Sequence, residues 1–313
     1  MFAPGDSTAT GTATGTTAGA TAWAVPGAAA TPAAAGAGTT AGKGTTATEV
    51  GIGAAAPPQR DDSAGRTVYL IHGYDLSLGA AGHDCAEYWA GAISGFRASG
   101  WRGELHTFGY YASNTNCDVN HDGDRGLPIT EIGRLLAWQI YEYHSKQGKT
   151  VDLLAHSMGG LVARAALTGV AARAEGFPPH LYVEDVVTLS TPHTGTPFAH
   201  LCGTTQCQEM RPGSDLLGGL QPNPQSAHGT DWTLLGSDDD NLVSAASATD
   251  VTAEHKIVYA KGQGVDHSAI TDVYTGEFRA RHWHHQNTTW LATDRAAGPV
   301  QMARDSLYYA ARW

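Results

Sequence analysis

The chain has 313 residues and a formal net charge of −11 at pH 7, with 30 acidic against 19 basic side chains. That balance excludes nucleic acid as a partner, since phosphate binding needs a basic surface, and it disfavours anionic lipid headgroups. At 42% hydrophobic the chain can bury a real core, and no stretch approaches the roughly 20 apolar residues that a membrane-spanning helix requires.

The first 60 residues are Ala, Thr and Gly with scattered Pro, and carry only Asp6, Lys43, Glu49 and Arg60 as charges. Apart from Met1, large apolar residues there are limited to Phe2, Trp23, Val25, Val50 and Ile52. Such a segment cannot bury enough surface to offset its ordering entropy. Residues 1–65 therefore read as a disordered, low-complexity leader or linker, and residues 66–313 as one catalytic-sized domain. No standard signal peptide is visible, because a basic start and a Leu- or Val-rich run are both missing.

Thr67 to Ile71 are β-branched, aromatic or aliphatic and read as a buried strand running into His72-Gly73-Tyr74. Trp89, Ile93 and Phe96 recur at helical spacing, which predicts a helix over about 83–98. A strand follows at about 104–108. Asp118-Val119-Asn120-His121-Asp122-Gly123-Asp124 then matches the opening of a calcium loop, with oxygen ligands at alternate positions and a glycine for the turn. The pattern departs at its twelfth position, where Ile129 stands in place of a bidentate Glu. A polar turn is the ordinary reading. A structural calcium on Asp118, Asn120, Asp122 and Asp124 is the alternative, and no catalytic metal or organic cofactor is expected.

A helix over 129–147 and a strand over 150–155 lead to Ala155-His156-Ser157-Met158-Gly159-Gly160. Apolar residues run straight into a turn of small residues with one serine at its apex, and a helical pattern follows over 158–174. This is how a nucleophile elbow reads, here as A-x-S-x-G. A serine hydroxyl is a weak nucleophile and needs a base within reach. A strand over 183–189 leads into the loop Ser190-Thr191-Pro192-His193-Thr194-Gly195. The segment 198–230, rich in Gly, Pro and Gln, breaks the rhythm and predicts a loop-and-helix cap. Leu201, Met210, Leu216, Leu217 and Leu220 there either line an acyl pocket or pack the cap on the core. A strand from Trp232 runs into Asp238-Asp239-Asp240, and another, 255–260, leads to Gly264-Val265-Asp266-His267.

The order Ser157, Asp240, His267 is Ser…Asp…His, the order used on the α/β-hydrolase fold. With Ile71-His72-Gly73-Tyr74, the elbow and the Ser190–Pro197 loop, the chain resembles an α/β-hydrolase, and within that fold the small bacterial lipases and esterases. Small Bacillus-type lipases share the Ala before the serine. The resemblance covers about residues 66 to 270. It implies a mostly parallel sheet with helices on both faces, a Ser157–His267–Asp240 triad, and ester hydrolysis through a covalent acyl-enzyme. It also implies oxyanion donors in the backbone N–H groups of Met158 and Tyr74. Asp238 and Asp239 are alternatives for the acid; Asp240 is preferred because it precedes the apolar pair Leu242-Val243. The substrate class expected is a small-molecule or lipid ester. A thioester, a polyester, acyl transfer or a non-catalytic binding scaffold are the rivals.

Fifteen histidines exceed the needs of a triad. His156 reads as shaping the elbow, His193 as packing near it, and His282, His284 and His285 as a solvated cluster. The four cysteines form an even set without C-x-x-C spacing. Their positions predict Cys85–Cys117 and Cys202–Cys207 disulfides, hence a secreted, extracellular protein, expected as a monomer.

Overall fold

The computed structural model describes residues 63–77 and 79–309. Of the predicted leader, residues 1–62 lie outside this range. Its last three residues, Ser63–Gly65, form a 3-10 turn. Ser63 is buried there, and its hydroxyl accepts a hydrogen bond from the Arg102 amide.

Nine strands form one sheet: β1 (Thr67–Ile71), β2 (Glu104–Gly109), β3 (Val119–Asn120), β4 (Val151–His156), β5 (Val183–Leu189), β6 (Asp231–Ser237), β7 (His255–Tyr259), β8 (Glu277–His284) and β9 (Asn287–Ala297). The spatial order is β3-β2-β1-β4-β5-β6-β7-β8-β9. All pairings from β3 to β7 are parallel, and β8 and β9 add an antiparallel hairpin. The helices are α1 (Cys85–Tyr88), α2 (Ala90–Ala98), α3 (Ile129–Tyr143), α4 (Met158–Ala171), α5 (Thr205–Glu209), α6 (Asp215–Gly219), α7 (Ala245–Thr249) and α8 (Pro299–Tyr308).

Parallel strands need crossovers, and the crossovers cover both faces. Alternation along β1 shows the consequence. Tyr69 and Ile71 join the cluster under α3 and α4, while Val68 and Leu70 join the one with Trp89, Phe96 and α8. The predicted helix 83–98 is two helices, since Trp89 leaves helical geometry (φ −106°, ψ 9°) with its ring fully buried. The predicted helix 129–147 ends at Tyr143 and continues only as a 3-10 turn, Ser145–Gln147.

Chain order reverses beside β1: β2 and β3 extend the sheet one way, β4 to β9 the other. In open α/β sheets ligands bind at the carboxyl ends of strands at this switch point. β1 and β4, the two strands that meet there, carry the His72-Gly73 turn and the Ser157 turn at those ends.

Two disulfides close on this frame, Cys85–Cys117 and Cys202–Cys207, as the cysteine positions predicted. The first closes 32 residues of chain and ties α1 to the loop before β3. Loop-closure entropy then makes it the stronger brace, at about 3–4 kcal/mol against about 2 for the second. Guanidinium unfolding is expected to show the larger loss for the Cys85→Ala/Cys117→Ala double variant. An equal or smaller loss than for Cys202→Ala/Cys207→Ala would sink that ranking.

Candidate active site

Ser157 stands between β4 and α4 with φ 54° and ψ −128°, a strained conformation for a residue with a Cβ. The surroundings enforce it. The Ser157 amide donates to the Leu189 carbonyl, and its own carbonyl accepts from the Gly160 amide. A Cβ at Gly159 would sit 2.3 Å from the Ile71 carbonyl oxygen, and one at Gly73 would sit 2.8 Å from the Ser157 Cβ. Both positions require glycine, so the post-β1 turn and the elbow can touch.

His267 follows β7, and its Nε2 lies 3.0 Å from the Ser157 Oγ. Its Nδ1 lies 2.7 Å from the Asp240 Oδ2, in the turn after β6. A carboxylate only accepts, so Nδ1 carries the hydrogen and Nε2 is free to accept from the serine. The other oxygen of Asp240 accepts from the Leu242 and Val243 amides, each at 2.8 Å. Burial alone would raise the Asp240 pKa. The His267 hydrogen bond and charge, with the Val243 amide, outweigh burial and hold it below the usual carboxylate value.

The neighbouring acids have other partners. Asp238 pairs with Arg281 at 2.7 Å. Asp239 accepts from the Gly262, Gln263 and Gly264 amides and so shapes the loop that leads to His267. Among the described residues, the Met158 and Tyr74 amides have no hydrogen-bond partner. The Met158 amide opens helix α4, where the helix dipole favours negative charge. His72 and Tyr110 brace the post-β1 turn: His72 Nδ1 donates to the Gly73 carbonyl, and the Tyr110 hydroxyl lies 2.7 Å from the His72 carbonyl.

A cleft of about 430 Å³ opens over Ser157 and His267. Phe198, Met210, Leu242 and Val243 form its apolar part, and Glu87 and Asp272 are among its acidic lining. Of the five apolar cap residues predicted from the sequence, Met210 alone lines this cleft. Leu201 points to solvent at 78% exposure, Leu220 is buried in the core, and Leu216 and Leu217 pack against that core. The cap is instead keyed down by Gln206, which accepts from the Tyr111 hydroxyl and donates to the carbonyls of Asp124 and Leu127.

That contact bears on the calcium alternative. Among the described residues, Asp118, Asp122 and Asp124 do not form a cluster of carboxylates. Asp118 accepts from Thr107, Asn120 from Asn114, and Asp124 from the Gly126 amide. The carbonyls of Asp124 and Leu127 in this loop hold the cap. Among the described residues, the acids that do cluster are Asp152, Glu184 and Asp185, and Arg66 reaches all three. His193 is buried with its Nε2 3.1 Å from the Thr188 hydroxyl. His284 and His285 stack on each other, and His255 lies edge-on to His284.

Sequence reasoning missed Tyr88, Tyr110 and Asn114, which surround His72 and His156. It also missed the β8–β9 hairpin and α8. Aromatic residues in helices and loops carry no local mark of function. Nothing in the sequence says that Tyr88 faces the elbow.

Burial drives four histidines well below the usual imidazole pKa: His72 and His255 to about 3, and His156 and His193 also strongly downward. The unfolded chain takes protons at these positions below about pH 6.5, while the folded chain stays neutral there. Stability is therefore full above that pH and is lost as pH falls, by up to about 1.4 kcal/mol per pH unit for each histidine. Urea midpoints are expected to fall steadily from pH 7 to pH 4.5, before carboxylates titrate. A flat profile in that range would contradict the burial of neutral imidazoles.

The fold and its elbow define an α/β-hydrolase-fold protein. Residues 63–210 match the family model described as a PGAP1-like alpha/beta domain. No curated protein matches this chain. Among solved structures the chain is similar to the mature form of the Bacillus licheniformis lipase BlEst2, at 16% identity over 69% of this chain and 90% of that one, TM-score 0.46. It is similar to phospholipase PlaB from Legionella pneumophila, at 13% identity over 59% of this chain, TM-score 0.41. The chain spans 44% of that phospholipase's length. It is also similar to the metagenomic carboxyl esterase MGS0156, at 13% identity over 78% of this chain and 76% of that one, TM-score 0.41.

Proposed function

We propose that this protein is a serine carboxylic-ester hydrolase, a lipase or esterase, with Ser157 as nucleophile, His267 as general base and acid, and Asp240 as its orienting carboxylate. The observation that carries the reading is the pair of hydrogen bonds on one imidazole, 2.7 Å to Asp240 and 3.0 Å to Ser157. Ser157 Oγ attacks the ester carbonyl carbon while His267 Nε2 takes its proton. The carbonyl oxygen becomes an oxyanion, and the free amides of Met158 and Tyr74 donate to it. Collapse breaks the bond to the alkoxy oxygen, which leaves as an alcohol with the proton from His267. Water then attacks the acyl-enzyme, with His267 again as base, and releases the carboxylic acid and Ser157.

Phe198, Met210, Leu242 and Val243 offer an apolar wall for the acyl chain. Glu87 and Asp272 at the same cleft, with the net charge of −11, favour neutral over anionic esters. The two disulfides support an exported, extracellular protein, and residues 66–313 as one catalytic domain. Among the described residues no helix is long and apolar enough to cross a membrane.

A panel of p-nitrophenyl esters from acetate to palmitate tests the reading. Turnover on part of the series is expected, with stoichiometric fluorophosphonate labelling at Ser157. An inert protein that also refuses the label would overturn it in favour of a binding scaffold. Labelling without ester turnover would move the substrate to another acyl donor.

A further inference from the structure

The residue before the nucleophile, His156, is buried at the edge of the cleft and has a defined partner on each ring nitrogen. His156 Nε2 lies 2.7 Å from the His267 carbonyl oxygen, and its Nδ1 lies 2.5 Å from the Tyr88 hydroxyl. The Tyr88 oxygen also accepts from the Gly73 amide at 3.0 Å. A carbonyl can only accept, so Nε2 carries the hydrogen. Burial, and then the neighbouring His267, keep His156 neutral, which leaves Nδ1 bare. Tyr88 must therefore donate to Nδ1 and accept from Gly73. The hydrogens run one way: Gly73 amide to Tyr88, Tyr88 to His156, His156 to the backbone of His267.

This chain joins three separate loops. Gly73 belongs to the turn after β1, beside Ser157 and next to the Tyr74 amide. His156 is the last residue of β4. His267 is in the loop after β7, six strands away from β1 in sequence order but facing it across the elbow. Asp240 bonds the ring of His267, while His156 bonds its backbone carbonyl. Tyr88 is itself set by α1, which Cys85–Cys117 and the Asp84 cap anchor at its start.

We propose that Tyr88 and His156 are positioning residues that hold the backbone of His267 and the Gly73–Tyr74 turn in fixed register across Ser157. Base and oxyanion donors then keep their distance to the nucleophile through both half-reactions. The inference rests on the triad reading above. Its energetic sense is that of pre-organisation: a displacement of about 1 Å at reacting groups can cost about a hundredfold in rate.

The test is steady-state kinetics of Tyr88→Phe, His156→Leu and His156→Gln, alone and combined, on the best p-nitrophenyl ester, with Ser157→Ala alongside. Tyr88→Phe is expected to lower kcat about tenfold and His156→Leu about a hundredfold, with KM within about twofold. Gln places an amide donor near the position of Nε2, so His156→Gln is expected to recover about tenfold over His156→Leu. Tyr88→Phe is expected to add little to His156→Leu, because both cut one chain. Wild-type kcat in Tyr88→Phe and His156→Gln, with Ser157→Ala inactive, overturns the proposal and leaves the triad standing. So does a loss of rate that only tracks the loss of folded protein in thermal unfolding. Full activity in Ser157→Ala would instead overturn the triad reading itself. If His156→Leu fails to fold, Tyr88→Phe decides, since it removes a single oxygen and keeps the ring.

Discussion

Ser157→Ala is expected to lower kcat/KM on p-nitrophenyl esters by about 10⁴- to 10⁶-fold. The variant should fold normally, because the Ser157 hydroxyl bonds the side chain of His267 while the elbow is held by backbone contacts to Leu189 and Gly160. Asp240→Asn is expected to cost about 10⁴-fold by a different route. Its remaining oxygen would keep the two amides of Leu242 and Val243, which turns the new amide group toward His267 Nδ1. That nitrogen must then accept, and the hydrogen moves to Nε2, where it faces the serine and removes the base. Asp238→Asn serves as the control. Asp238 pairs with the exposed Arg281, and a surface ion pair of that kind is worth about 0–1 kcal/mol, so activity should stay within about twofold. Near-wild-type rates in Asp240→Asn, with a loss in Asp238→Asn, would move the acid to the neighbouring position and break the assignment.

At the opposite end of the sheet, Arg66→Met is expected to destabilise the fold by about 3–5 kcal/mol. The Arg66 guanidinium is buried and donates from Nε and Nη2 to both oxygens of Asp152, at 2.9 and 2.6 Å, and from Nη2 to Asp185 at 3.1 Å. Burial alone would lower the Arg66 pKa, but the charge and hydrogen bonds of Asp152, with Glu184 and Asp185, raise it above its ordinary value. Methionine fills similar space but removes the guanidinium that bonds both carboxylates, which are 2% and 3% exposed. Part of the loss should return in Arg66→Met/Asp152→Asn, because the second change removes one of the two buried charges that Arg66 bonds. Chemical denaturation reads both. A loss under about 1 kcal/mol in the single variant would mean that water or their other partners satisfy these carboxylates without Arg66. Activity per folded molecule should be unchanged, since Arg66 lies at the amino end of β1 and the elbow faces its carboxyl end.

Much of this protein is local, and what is local was legible. Thr67–Ile71, Val183–Leu189 and the strand into Ser157 are short apolar runs bounded by turns, and they became β1, β5 and β4 with their predicted limits nearly unchanged. The elbow is readable because its strain demands small residues at fixed offsets from one serine. Asp240 was preferred over its neighbours for the apolar pair that follows, and the amides of that pair are what hold its carboxylate.

Other features depend on who meets whom. The β8–β9 hairpin carries charged and aromatic residues without clean alternation, because most of its side chains lie toward solvent, and only pairing with β7 makes it a sheet edge. The calcium-like spacing at Asp118–Asp124 is a property of the string. Only the folded chain adds the contacts of Asp118, Asn120 and Asp124 with Thr107, Asn114 and Gly126, and of the loop's carbonyls with Gln206. The apolar cap residues could have faced cleft or core, since the same hydrophobic gain is available either way, and packing sent all but Met210 elsewhere. Length, composition and short-range pattern thus determined the strands, the turn at Ser157, the cysteine pairs and the order of Ser157, Asp240 and His267. The distances between those residues, and the Tyr88–His156 chain that ties their loops together, are contacts between segments far apart in sequence, and only the tertiary structure decides them.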